Sequence, residues 1–221
     1  QTYFLYGLRR DQLEHARFPL GDLTKPEVRA VARRFGLATA DKPESQEICF
    51  VPGGDYRDAL RTRAGWAPAP GPVVDAAGTL LGEHGGAAGF TVGQRRGIGV
   101  ATDAPRYVSR IDPATNTIQL GRREDLETRT IPLSGVTFVA GGAPTTGTSF
   151  RAAIRIRHRA ALVPAVVRPA TAGEPARGGR WVAETADPVW AAAPGQAAVL
   201  YDGDVVLGGG RIERPDAVVA A

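Results

Sequence analysis

"QAAVLYDGDVVLGGGRIER", residues 196–214, is an apolar run, an Asp-Gly pair and a second apolar run. Asp-Gly between β-branched stretches is the signal of a tight β-hairpin. Upstream lie "SFRAAIRIRHRA" (149–160), "LVPAVVRPA" (162–170) and "RWVAETA" (180–186), each a short strand-like run between turn-formers. Short strands at such even spacing predict a closed or nearly closed antiparallel barrel over residues 131–221.

Working back along the chain, "GPVVDAAGTLLGEH" (71–84) and "RYVSRIDPATNTIQLG" (106–121) read as hairpins, the second turning at Pro113–Asn116. They predict a small central β domain over 65–130, set off by the proline- and glycine-rich "GWAPAPGP" (65–72). Residues 1–64 are helical in pattern. "YFLYGLRRDQLEHA" (3–16) places Phe4, Leu5, Leu8 and Leu13 at roughly helical spacing. "TKPEVRAVARRFG" (24–36) is a helix with a Thr24/Glu27 capping box, a proline in its first turn, a Val28/Val31/Ala32/Phe35 apolar face and a terminating Gly36. Asp41–Gly54 is a loop, and a short helix follows from Asp55. The class is therefore α+β: a short helical segment, a β-rich central domain and a C-terminal barrel.

Composition narrows the function. The 221 residues carry a net charge of +4, with two lysines (Lys25, Lys42) and 25 arginines. Guanidinium forks suit phosphate, so nucleic acid is an admissible partner. No run approaches the ~20 apolar residues of a membrane span, and the start has no signal-peptide pattern, so the expectation is a cytoplasmic protein without a membrane partner. A single cysteine, Cys49, excludes an intrachain disulfide. There is no methionine, and Gln1 leads straight into an apolar segment, so Gln1 is expected not to be the natural start.

Three features invite chemistry. Read as a strand over 148–159, alternation puts Phe150, Ala152, Ile154 and Ile156 on one face with His158 in phase, and Arg151, Arg155, Arg157 and Arg159 on the other. Same-face neighbours lie about 7 Å apart, close to a phosphate repeat, so the stripe suits RNA as well as plain solvent. The glycine-rich "GEHGGAAGFTVGQRRGIGV" (82–100) has no Gly-Lys-Ser/Thr ending and no strand–turn–helix context, which favours a tight β corner over a nucleotide loop, although Arg95 and Arg96 remain able to touch a phosphate. His15, His84, His158 and Cys49 lack metal-ligand spacing, and no metal is predicted. Cys49 itself, in "DKPESQEICFVPGGDY" (41–56), is open between two readings. Its apolar flanks fit an inert buried thiol. Its polar setting fits a reactive one, with Lys42 favouring thiolate and Asp41, Glu44 and Glu47 opposing it.

Four stretches taken together resemble the tRNA-specific 2-thiouridylase family, in the family's order: "QTYFLYGL" (1–8), "FPLGDLTKPEVRAVARRFGLATADKPESQEICFV" (18–51), the glycine-rich 82–100, and "PGQAAVLYDGDVVLGGGRI" (194–212). The resemblance covers nearly the whole chain, and "SQEICF" and "TVGQRRGIG" are its most specific parts. It implies an enzyme that activates the C2 oxygen of a tRNA wobble uridine with ATP and replaces it with sulfur from a cysteine persulfide delivered by a donor protein. By position, Cys49 resembles the persulfide-bearing cysteine. Gln1, the Arg157–His158 pair and Gln196 resemble tRNA contacts, with His158 where tyrosine is commoner. Glu44 stands where aspartate is commoner. The family's Ser-Gly-Gly-x-Asp-Ser loop for ATP and its second cysteine are not in this sequence. The resemblance therefore implies the end of a catalytic domain followed by the two β domains, and a chain that by itself neither binds ATP nor turns over. A non-catalytic RNA-binding module with a translation-factor-like barrel is the alternative, and a purely structural or protein-interaction fragment is a third.

Overall fold

The computed structural model describes residues 2–43, 61–62, 67–144, 149–171 and 181–214. It divides into two units, one formed by residues 1–13 with 68–221 and the other by 14–67.

In the first unit, β5 (Glu127–Phe138), β6 (Phe150–Arg155), β7 (Val163–Pro169), β8 (Trp181–Trp190), β9 (Ala197–Asp202) and β10 (Val205–Ile212) close into a barrel in the order β10-β5-β8-β7-β6-β9. Every neighbouring pair is antiparallel. The predicted α+β class with a C-terminal antiparallel barrel is what the chain adopts. Alternation fills the interior: Ile131 and Leu133, Phe150 and Ile154, Ala165 and Val167, Ala198 and Leu200 all point inward and are buried. Each large aliphatic side chain buried in this way contributes roughly 1.5–3 kcal/mol, and the alanines leave room for the large side chains opposite them. The hairpin that ends the barrel is shifted by one residue from its reading in the sequence. Asp202 pairs with Val205, so the two-residue loop is Gly203–Asp204, not Asp202–Gly203. Gly203, at φ +55°, takes the left-handed first position of the loop without steric cost. The strand expected near Ile131 begins earlier, at Glu127, where it already pairs with Trp190.

The central sheet is mixed, in the order β2-β1-β4-β3, from β1 (Gly71–Val74), β2 (Leu80–His84), β3 (Tyr107–Asp112) and β4 (Thr117–Gly121). Both predicted hairpins are present, and β1 and β4 join them in parallel. Val73, Val108, Ile118 and Leu120 are fully buried in its core. The Asn116 amide donates to the carbonyls of Ala69 and Pro70 at 3.0 Å, which fixes the entry to β1.

The N-terminal segment departs from its predicted single helix. Thr2–Leu5 is a 3₁₀ turn, and α1 covers only Arg10–His15. Gly7 interrupts the pattern, and the residues that dock are Tyr3 and Tyr6, three apart and hence on one side of a 3₁₀ turn. They cover Val199 and Tyr201 on the outside of the barrel. That explains why "AAVLY" in β9 is apolar on both faces: one faces the barrel core and the other the N-terminal tyrosines.

In the second unit, α2 (Lys25–Arg34) begins as predicted. The Glu27 carboxylate accepts from the Thr24 backbone N–H and hydroxyl, both at 2.6 Å. It ends in a Schellman motif, with Leu37 N–H donating to Ala32 O and Gly36 N–H to Arg33 O at 2.9 Å. Val28, Val31 and Ala32 are half-buried, whereas Phe35 is exposed under the Arg34 guanidinium. Among the described residues no helix is long and apolar enough to cross a membrane.

Candidate nucleic-acid interface

The arginine-bearing strand is shorter than its alternation predicts, and this rearranges the stripe. β6 stops at Arg155, because its pairing ends at Ile154–Val163 on one side and Arg155–Val199 on the other. Residues 157–160 form a turn closed by Ala160 N–H donating to Arg157 O at 3.1 Å. His158 therefore leaves the core face it was phased with and stands exposed, as does Arg159, while Ile156 remains buried. The remaining guanidiniums do not form one open row. Arg155 lies over the Tyr201 ring at 5.3 Å. Arg157 lies over the Trp190 ring at 5.3 Å and donates to the carbonyls of Trp190, at 3.4 Å, and Ala191. Only Arg151, at the start of β6, and Arg159, in the turn, are exposed in the manner the stripe implied.

Trp190 is the residue that sequence reading missed here. Its ring takes Arg157 and Arg123 as cation–π partners, at 5.3 and 5.0 Å. Its Nε1–H donates to Arg123 O at 3.2 Å, and Tyr107 of the central sheet meets it edge-on at 5.5 Å. Ala191, at φ +52°, turns its carbonyl toward Arg157, a conformation that costs an alanine roughly 1–2 kcal/mol and that the charged donor helps hold. The guanidinium thus fastens the 157–160 turn to the end of β8. The sole prior signal was an indole beside a proline- and alanine-rich corner, "DPVWAAAPG" (187–195), which does not name its partner.

His158 has a different neighbourhood. Its imidazole lies against Phe4 with centroids 4.9 Å apart and planes 35° from parallel, and Tyr3 meets it edge-on at 5.9 Å. The buried Tyr3 hydroxyl donates to Ala197 O at 2.8 Å. Burial first, then the nearby Tyr6 and Tyr201, hold the Tyr3 pKa above the ordinary tyrosine value, against the pull of Arg155 and Arg157, so the hydroxyl stays a donor. Ala197 follows Gln196, whose backbone is pinned by Ala193 O and the Ile212 N–H. Gln196 lines a cleft of about 800 Å³ together with Phe90, Ile111, Gln119, Leu126 and Arg214. Tyr3 thereby brings His158 and the start of β9 together. Gln1 and Cys49 lie outside the described residues.

Among the described residues, the glycine-rich stretch is not built as a phosphate loop. The glycine-rich 82–100 holds a 3₁₀ turn at Ala87–Gly89 and irregular backbone after β2, with no helix opening behind it to receive a phosphate.

The division of labour among the arginines has a measurable consequence. Arg157→Ala is expected to cost about 2 kcal/mol in a urea melt, because it strips a charged donor from two carbonyls. It should leave the salt dependence of any RNA binding unchanged. Arg159→Ala should melt like the parent and flatten the slope by about one unit. The reverse pattern would make Arg157 the phosphate contact.

Three family models match in succession: the tRNA methyl transferase HUP domain over residues 1–53, the tRNA methyl transferase PRC-barrel domain over 61–122, and the aminomethyltransferase beta-barrel domain over 128–212. The chain is 47% identical to the tRNA-specific 2-thiouridylase MnmA of Roseiflexus sp. over 97% of its own length and 55% of the relative's. It is 43% identical to the protein of that name from Bradyrhizobium diazoefficiens over 100% of its length and 56% of the relative's, and 44% identical to that of Moorella thermoacetica over 96% and 57%. The chain thus spans about half the length of the curated relatives it matches. Across all three of its segments, it belongs to the tRNA-specific 2-thiouridylase family.

Proposed function

We propose that this protein provides the sulfur-carrying cysteine and much of the tRNA-gripping surface of a cytoplasmic tRNA 2-thiouridine synthase, one that replaces the C2 oxygen of the wobble uridine with sulfur. The observation that carries this is the only cysteine of the chain, placed within "SQEICF", in a sequence 47% identical to a 2-thiouridylase over 97% of its length. ATP-dependent activation of the uridine falls to residues outside this sequence, so this chain by itself is expected to be inactive. What Cys49 does is transfer sulfur. Its thiolate attacks the outer sulfur of a donor protein's persulfide, an S–S bond forms on Cys49, and the donor cysteine leaves as its thiolate. The terminal sulfur, a soft nucleophile, then attacks C2 of the activated base, and the former C2 oxygen leaves as part of AMP. A second thiol, also outside this sequence, attacks Cys49 Sγ, so that the S–S bond breaks, the sulfur stays on C2 and a disulfide remains to be reduced. Gln1, Arg157, His158 and Gln196 serve tRNA binding, Arg157 by holding the turn that carries His158.

The test is loading. After incubation with a protein persulfide, mass spectrometry should find one added sulfur on the peptide that contains Cys49, removable by reductant. A bare Cys49 in a chain that still binds tRNA would replace this reading with the second one, a non-catalytic RNA-binding module. The same measurement separates thiolation from the methyl transfer in the names of two family models, because methyl transfer needs no sulfur on Cys49.

A further inference from the structure

We propose that Phe4 and His158 form a stacking platform for one unpaired base of the bound tRNA, with Tyr3 as the positioning residue beneath it. The inference rests on the reading of tRNA as the substrate. Phe4 is 69% exposed, more than any other large hydrophobic side chain described. It is nevertheless held in place. Its ring meets the His158 imidazole at 4.9 Å and the Tyr3 ring edge-on at 5.5 Å, with planes at 90°. Tyr3 is 7% exposed and is anchored through Ala197 O. An exposed aromatic ring usually gains freedom by being mobile, but this one is propped from below and from the side, and its open surface faces solvent. Unpaired RNA bases are recognised by such surfaces, because every base has a π face that stacks on aromatic or imidazole rings.

The surroundings select RNA over a protein. Arg159 follows His158 directly and is exposed. Two rings beside the exposed Arg159 fit a base and a flanking phosphate. A stable protein interface needs about 800 Å² from each partner, far more than two side chains offer. The base must come from an unpaired part of the tRNA, since a stacked duplex offers no free face.

The experiment measures binding of an unmodified tRNA transcript by this chain in its wild-type, Phe4→Leu, Phe4→Trp and Phe4→Ala forms. Thermal melts check that each variant folds. Leu keeps bulk and apolarity but has no ring, so Phe4→Leu and Phe4→Ala should each weaken Kd about tenfold, while Phe4→Trp binds at least as tightly as the parent. The salt slope should stay the same in all four, because no phosphate contact is lost. A Phe4→Leu variant that binds like the parent overturns the platform while leaving the tRNA reading intact. Equal weakening by Leu and Trp also overturns it, since that marks packing rather than stacking. If the wild type itself does not bind tRNA, the reading of the substrate fails and the platform fails with it.

Discussion

Under the proposed function, Cys49→Ser is expected to bring 2-thiouridine formation down to background, about a thousandfold or more, when this chain acts together with the proposed ATP-activating part. Serine is close to cysteine in size, so the substitution tests chemistry with little change in bulk. A hydroxyl cannot accept sulfane sulfur, and its high pKa leaves it protonated where a thiol is partly ionised. tRNA affinity should be nearly unchanged, because the sulfur acts after the RNA is bound. Two readouts therefore move apart: 2-thiouridine measured in digested tRNA disappears, and Kd holds. ATP-dependent activation of the uridine should also persist in the variant, since Cys49 has no part in it. If the serine variant still thiolates tRNA, Cys49 is an inert thiol and the sulfur travels by another route. If thiolation and binding are lost together, the residue supports the fold of its segment and the carrier role is unsupported.

The barrel was legible because strand alternation is a local signal. Phe150, Ile154 and Ile156 sit two or four residues apart in the sequence and on one face in the structure. The capping box of α2 was legible for the same reason, as both partners lie within four residues. What was not legible depends on closure. Nothing near Arg157 announces Trp190, 33 positions on, yet the indole and its carbonyl decide where that guanidinium points. His158 was phased with the core because alternation cannot say where pairing stops. Pairing stops at Ile154 opposite Val163, where β7 begins, and at Arg155 opposite Val199, and the chain then turns. The N-terminal segment was misread by period. Phe4, Leu5, Leu8 and Leu13 suggested a helix, but the barrel exterior takes Tyr3 and Tyr6 and leaves Phe4 in solvent. Cys49 lies outside the described residues, and the role proposed for it was legible only as a motif, "SQEICF".

The other large effect is expected at Gly208. Gly208 faces Phe138 of β5 on one side and Leu200 of β9 on the other. A Cβ on it would lie 2.1 Å from Thr137 O and 3.0 Å from Phe138 Cα, both backbone atoms of β5. No rotamer relieves such a clash, so β5 has to move. In an open sheet an edge strand could slide away, but a closed barrel has no slack, and displacing β5 from β10 opens the seam. The next two residues leave no room to share the strain. A Cβ on Gly209 would meet Ala198 O at 2.5 Å and the Tyr6 ring at 2.7 Å, and one on Gly210 would meet Ser134 O at 2.7 Å. The run "GGG" is therefore where three backbones and the docked Tyr6 come closest. Gly208→Ala should cost about 4 kcal/mol, a large share of the roughly 5–15 kcal/mol that holds a domain folded. Gly85→Ala, where an added Cβ meets nothing within 4 Å, should stay within about 0.5 kcal/mol of the parent. Urea melts followed by tryptophan fluorescence report on the barrel through Trp181 and Trp190, at the two ends of β8. Equal midpoints for the two variants would mean that β10 can draw back from β5 without loss. A low midpoint for Gly208→Ala alone should come with weakened tRNA binding, because Tyr6 rests on Gly209 and the turn that presents Phe4 is docked through the same tyrosines.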